Sequence, residues 1–280
     1  MLLTHIKMND IKVSVIIPTY RPGDYLYECL GSLCRQTLGS GSFEVIIVLN
    51  GCNEPYSEEI KEYVADKMQG FRVRFMQTDC PGVSNARNMA IDAACGEYVA
   101  FIDDDDWVSP GYLADLMAEA AKGADVVEAN VADYDETDGT CHDDYLTRAF
   151  HRNAARERVT LVSARSFMSS SCCKIIRREV IGNRRFDTRF RQGEDALFMA
   201  TVSNRVKTIA LATADTLYYR RLRAGSASRR VVARKEYVLN QLLLMRTYIG
   251  LYLSDVAHYS LPFFSTRIAA LSRNIVRAFR

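Results

Sequence analysis

Along the first third of the chain, short apolar runs alternate with segments of helical period. Val13-Ser14-Val15-Ile16-Ile17 is the first run and closes at Pro18-Thr19-Tyr20. Phe43-Glu44-Val45-Ile46-Ile47-Val48-Leu49 is the second and ends at Asn50-Gly51; Val73-Arg74-Phe75-Met76-Gln77 is the third, ahead of Pro81-Gly82. Tyr98-Val99-Ala100-Phe101-Ile102 follows Gly96 and runs into acidic residues. Apolar runs of this length bounded by turn formers read as buried strands. Between them, Asp24 is placed to cap a helix with Leu26, Cys29, Leu30 and Leu33 on its apolar side. Ser57 is placed to cap a second with Ile60, Tyr63, Val64 and Met68, and a third starts at Ser84 and runs through Ala94. Strand and helix in alternation predict βαβ units, a parallel sheet, and right-handed crossovers that gather the strand ends on one rim. Thr19, Asn50 and Asp103 stand at three of those ends, where ligands of an α/β sheet collect.

The fourth run leads into Asp103-Asp104-Asp105-Asp106 and then Trp107, the only tryptophan. Adjacent carboxylates repel, so a folded chain keeps four together only where solvent or a divalent cation offsets the repulsion. Mg²⁺ and Mn²⁺ take oxygen ligands and are held by one or two carboxylates plus substrate phosphates. A solvated acidic loop is the plainer alternative. The buried strand before the run and the tryptophan after it set the acids in an apolar frame, which weakens that alternative without removing it.

Composition narrows the classes. A chain of 280 residues has room for one large α/β domain or two small ones, and 48% hydrophobic with 25% charged residues is ordinary for a globular protein. A net charge of +2 makes no electrostatic case for nucleic acid as a partner. The eight cysteines form no CxxC pair and no zinc spacing, and Met1 to Lys7 lacks a signal peptide's apolar core, so free thiols in a reducing cytoplasm are expected. No uninterrupted apolar window reaches membrane-spanning length; the stretch Tyr237 to Leu253 is broken by Asn240, Gln241 and Arg246. GxGxxG is missing after the first strand and GxxxxGK[ST] is missing throughout, which leaves no dinucleotide fingerprint and no P-loop.

Three blocks together carry a family resemblance: Val13 to Tyr20, Gly82-Val83-Ser84-Asn85-Ala86-Arg87-Asn88, and Gly96-Glu97 through Trp107. As a set, across residues 12 to 220, they resemble glycosyltransferase family 2. The resemblance implies inverting enzymes of GT-A fold, an α/β, Rossmann-like nucleotide-binding architecture with a mostly parallel sheet flanked by helices. A GT-A domain is then expected over 1–220, with a nucleotide-binding half at about 12–110 and an acceptor half at about 111–220; 221–280 is a basic helical C-terminal appendage. Carried over by motif, Asp105 is the metal ligand for Mn²⁺ or Mg²⁺, with Asp103 and Asp104 contacting metal, ribose or sugar. Pro18 and Thr19 match the strand end that cradles the base, and Arg87 lies near the nucleotide. Where many members have two aspartates followed by Gly-Ser, this chain has Leu49-Asn50-Gly51-Cys52. Asn50 can still exchange hydrogen bonds with a base, uracil included, or serve as a turn residue only.

Downstream, Ser171 to Arg178, then Arg185-Phe186-Asp187, then Gly193-Glu194-Asp195-Ala196-Leu197-Phe198 are similar to the family's second half. The resemblance implies Asp195 as general base, with Glu194 as its substitute or partner; a helix-dipole role for the pair is the structural alternative. Leu217 to Ser226 resembles the closing Tyr-rich strand and basic loop, with Arg223 as the diphosphate or metal contact and Arg220 and Arg221 competing for it. The acidic stretch around Gly139 reads as a hairpin or loop. After Arg220, cations far outnumber acids, and Val238, Leu242, Met245, Ile249 and Leu253 make a helical apolar face. That segment either packs on the catalytic domain or makes peripheral contact with anionic lipid. The expected activity is metal-dependent transfer of a sugar from a nucleotide-sugar, UDP-linked, to a saccharide or lipid-linked acceptor in cell-surface polysaccharide synthesis. A sugar-phosphate nucleotidyltransferase and a non-catalytic nucleotide- or membrane-binding protein of the same fold are the alternatives.

Overall fold

The computed structural model describes residues 11–223 and 233–279. The apolar runs form β1 (Val13–Thr19), β2 (Phe43–Asn50), β3 (Arg72–Thr78) and β4 (Tyr98–Phe101), and the intervening segments form α1 (Tyr25–Cys34), α2 (Tyr56–Lys67) and α3 (Val83–Ala93). β1 pairs in parallel with β2 on one side and β4 on the other, and β2 pairs in parallel with β3. The chain therefore steps outward from β1 to β3 and returns to the far side of β1, which opens a crevice at the β1/β4 switch point. Every residue of β1, β2 and β4 is buried, which is why these strands read as continuous apolar runs rather than alternating ones.

Three helix starts differ from the expected caps. Asp24 precedes α1 without a side-chain cap bond, and Pro55, not Ser57, precedes α2. Ser57 is turned inward and donates to Gln77 Oε1 at 3.3 Å. α3 starts at Val83, after Gly82, and ends at Ala93. In each case contacts to the sheet outweigh a single cap bond.

The second half of the described chain widens the sheet and adds another. After β5 (Trp107–Val108) and α4 (Tyr112–Ala120) come β6 (Val126–Glu128), β7 (Asn130–Asp135), β8 (Thr140–His142) and α5 (Tyr145–Ala154). Then follow β9 (Lys174–Arg177), α6 (Arg178–Ile181), α7 (Glu194–Val202), β10 (Ile209–Leu211) and β11 (Leu217–Leu222). The main sheet has the order β10-β6-β9-β4-β1-β2-β3, with β9 antiparallel to both neighbours; the smaller one runs β5-β11-β7-β8. The acidic stretch around Gly139 is the β7–β8 hairpin. None of the eight cysteines is disulfide-bonded.

Where β6 meets β9, Lys174 Nζ lies 2.9 Å from Glu128 Oε2, both side chains essentially inaccessible, and the ammonium also donates to the Phe167 carbonyl at 2.8 Å. Burial pushes the Glu128 carboxyl up, and Lys174 acts against that shift.

α8 (Arg234–Ser254) and α9 (Leu261–Ala278) pack against each other, and Leu244, Tyr248, Phe263, Phe264 and Leu271 join the common core. Of the apolar face read from the sequence, Val238 and Met245 are half-buried. Leu242, Ile249 and Leu253 are exposed, and α8 buries Gln241, Leu244 and Tyr248. Apolar residues surround this helix, so tertiary fit selects the face. Leu244 sits over Gly193, where an added Cβ would meet Leu244 Cδ1 at 2.8 Å.

Removing one partner of a buried ion pair strands the other. Lys174→Met should destabilise the fold by about 3–5 kcal/mol, and adding Glu128→Leu should recover most of that loss. Urea unfolding midpoints of the single and double variants measure both.

Candidate active site

Four sequence blocks meet at the β1/β4 crevice, and Arg87 in α3 joins two of them. Its guanidinium donates to Asp103 Oδ1 at 2.8 Å and to Asp195 Oδ1 at 2.6 Å, with Glu194 Oε1 3.9 Å away. Arg87 is 2% exposed and lies over the Phe186 ring at 5.3 Å. Burial works against its charge, but the carboxylates of Asp195 and Asp103 more than offset this and raise its pKa above the usual value. Asn88, next in the same block, exchanges two hydrogen bonds with the Phe186 backbone at 2.9 and 2.7 Å. The third block and the Phe-Asp/Glu-Asp segment are thus tied together through consecutive residues of one helix.

Each acid of the run has a different neighbour. Asp104 Oδ2 accepts from the Thr19 hydroxyl at 2.5 Å, and Asp105 Oδ2 accepts from Arg223 Nε at 2.8 Å. Asp106 is buried; it accepts from the Tyr218 hydroxyl at 2.6 Å and from the Arg221 N–H at 2.8 Å. The same Tyr218 hydroxyl accepts from the Asp103 N–H at 3.1 Å. Asp106 therefore fixes the turn, while Asp103, Asp104 and Asp105 each keep one carboxylate oxygen with no hydrogen bond among the described residues. That donor set fits a hard divalent cation. No three His, Cys, Asp or Glu side chains converge into a cage among the described residues.

Asn50 uses both ends of its amide: Nδ2 donates to the Thr19 carbonyl at 2.7 Å and Oδ1 accepts from the Gly82 N–H at 2.9 Å. It staples the end of β1 to the entry of α3. Pro18 and Thr19 lie in the last turn of β1, both buried. Of the three competing arginines, Arg223 alone pairs with an acid of the run and lies 4.2 Å over the Tyr25 ring. Arg220 is held by Asp133 and Asp144, and Arg221 by Glu28, Glu136 and the Trp107 ring. The loop segment Ala224 to Ser226 and the cations Arg229 and Arg230 lie outside the described residues.

Asp195 stands in the first turn of α7, after Gly193 with φ 83°. Its Oδ1 also accepts from the Ser171 hydroxyl at 2.9 Å, and Oδ2 has no hydrogen bond among the described residues. Glu194 is pushed up to about 7 by burial and by Asp195 beside it. Ser171 and Tyr218 were not singled out from sequence. Tyr218 lies in a Tyr-rich strand whose pattern signals packing, and nothing around Ser171 marks its contact.

The model of Glycosyl transferase family 2 matches residues 14–184. The chain belongs to this family. Among its relatives, glycosyltransferase GlyA of Streptococcus pneumoniae is 27% identical over 228 residues, 79% of this chain and 32% of GlyA. The poly(ribitol-phosphate) beta-N-acetylglucosaminyltransferase TarS of Staphylococcus aureus is 28% identical over 218 residues, 77% of this chain and 36% of TarS. The chain thus spans about a third of the length of these curated relatives. The structure of TarS 1–349 in complex with UDP-GlcNAc superposes with a TM-score of 0.74 at 24% identity, covering 94% of this chain and 72% of that one. A mannosyltransferase from Pyrobaculum calidifontis in complex with GDP-Man and Mn²⁺ gives 0.64 at 15% identity, covering 96% and 73%. The family 2 chain has the GT-A fold, with a helical C-terminal region.

Burial, then repulsion from Asp105 and Asp103, pushes Asp104 up to about 7 in the absence of a cation. Its carboxyl holds a proton in the folded state that the unfolded chain releases near pH 4, so this group lowers stability as pH rises from about 4 to about 7. Asp104→Asn should therefore raise the metal-free melting temperature by roughly 2–6 °C at pH 8. The gain should shrink at pH 4.5, as differential scanning calorimetry at the two pH values would read.

Proposed function

We propose that the chain is a metal-dependent inverting glycosyltransferase. It moves a sugar from a nucleotide-sugar, UDP-linked, to a saccharide or lipid-linked acceptor in cell-surface polysaccharide synthesis. The observation that carries this reading is the Arg87 bridge, which sets Asp103 of the acidic run and Asp195 on either side of one guanidinium. The TarS complex with UDP-GlcNAc and the mannosyltransferase complex with GDP-Man and Mn²⁺ support a nucleotide-sugar donor and a divalent cation.

Asp195 acts as general base. Its Oδ1 is pinned by Arg87 and Ser171, and Oδ2 is free to take the proton of an acceptor hydroxyl. As that proton leaves, the hydroxyl oxygen forms its bond to the anomeric carbon, and the bond to the diphosphate breaks on the opposite side, inverting the centre. Glu194, whose carboxyl burial and Asp195 push up to about 7, stands beside it as its partner. Mn²⁺ or Mg²⁺ held by Asp105 and Asp103 would supply positive charge for the departing diphosphate oxygens. Arg223, held beside Asp105, reaches the same oxygens. Pro18, Thr19 and Asn50 line the end of the crevice that takes the base, and Asp104 faces the ribose. A lipid-linked acceptor would bring the chain to the cytoplasmic face of a membrane.

Asp195→Asn should lower turnover by roughly 10²–10⁴-fold and leave the affinity for UDP nearly unchanged. Activity close to the parent's would remove Asp195 from the chemistry. Asp105→Ala should abolish the Mn²⁺-dependent part of UDP binding in titration calorimetry; equal heats with and without Mn²⁺ in the parent would refute the cation site.

A further inference from the structure

Twelve large apolar side chains are exposed among the described residues, and nine of them fall between Leu239 and Phe279. Apolar exposure is therefore a property of the C-terminal helices and not of the surface at large. On α8, Leu239, Leu242, Leu243, Ile249 and Leu253 share an arc of about 120° at 100° per residue, facing away from buried Gln241, Leu244 and Tyr248. Val256, in the connection to α9, is exposed as well. An exposed apolar patch of this extent marks a surface that is covered by something else. The core covers one half of α8, and among the described residues nothing covers the other.

The charges around this arc name the cover. Lys235 and Arg246 lie within it, exposed, and Arg234, Arg273 and Arg277 are exposed on the same helix pair. Between 233 and 279 the only acids are Glu236 and Asp255, and Asp255 is occupied by Asn204 and His258. A second copy related by a two-fold axis would bring the same cations together across the contact with few acids to pair them. No helix among the described residues is long and apolar enough to cross a membrane. Apolar depth and negative charge are offered together by the surface of an anionic bilayer.

We propose that the outer face of α8, with the α8–α9 connection, docks on an anionic lipid surface and lies in its interface. The docking stands on these residues alone; only its use, to hold the cleft beside a membrane-borne acceptor, rests on the glycosyltransferase reading. The test is flotation of the full chain with phosphatidylcholine vesicles, with and without phosphatidylglycerol. Binding should be at least about tenfold stronger to the anionic vesicles and should weaken in high salt. Leu242→Glu with Leu253→Glu should lose that binding, and Lys235→Gln with Arg246→Gln should weaken it by roughly 30-fold, since each cation near the surface contributes about fivefold. The unfolding midpoint and UDP affinity of both variants should match the parent's. Equal partitioning into both vesicle types, or none, overturns the proposal. So does a parent dimer in light scattering that Leu242→Glu with Leu253→Glu dissolves, which would make the face a contact between copies. UDP calorimetry on the same samples reads the enzymatic reading separately, so either can fail alone.

Discussion

A guanidinium with almost no access to solvent sits between carboxylates contributed by two distant parts of the chain, and the geometry of the crevice depends on it. Arg87 reaches Asp103 after β4 and Asp195 at the head of α7, residues 16 and 108 positions away. Removing such a charge from water is costly, and it is sustained only where opposite charges and hydrogen bonds replace the lost hydration. The same contacts leave the acidic run with one positive neighbour at its first residue and another, Arg223, at its third. The remaining repulsion shows in Asp104 and Asp106, both pushed upward first by burial and then by neighbouring acids. The folded crevice is thus short of positive charge at the place where a cation and a diphosphate would meet.

Around that centre the fold divides the labour. The parallel strands bring Thr19, Asn50 and Asp103 to one rim, and the short second sheet delivers Tyr218 and Arg223 from the other side. Asn50 and Tyr218 make the rim rigid: one joins β1 to the entry of α3, the other closes the turn between β4 and β5.

The nucleotide-binding half was legible because buried parallel strands leave unbroken apolar runs and their ends are marked by turn formers. β1 through β4 follow from that pattern, and the acidic run at the end of β4 stands out by charge alone. Helix starts were less legible, since Tyr56 and Val83 begin their helices after Pro55 and Gly82, neither of which offers a side-chain cap bond. Within the run, sequence gives four equivalent aspartates; only the fold separates buried, doubly bonded Asp106 from the three with a free oxygen. Ser171 opens a block similar to the family's second half, but nothing in that block sets it apart as a partner of Asp195. Which side of α8 packs was not legible, because apolar residues lie on more than one side of the helix and periodicity alone does not choose between them.

Gly193 leaves room for the side of α8 that turns inward. It has a left-handed backbone, and its missing side chain is the hollow into which Leu244 settles. The neighbouring Gln192 carbonyl also accepts from Asn240 of the same helix. The outermost layer of the molecule is therefore seated one residue from Glu194 and two from Asp195. Moving the outer helices would therefore disturb a contact made at the residue that opens α7, the helix that carries Asp195.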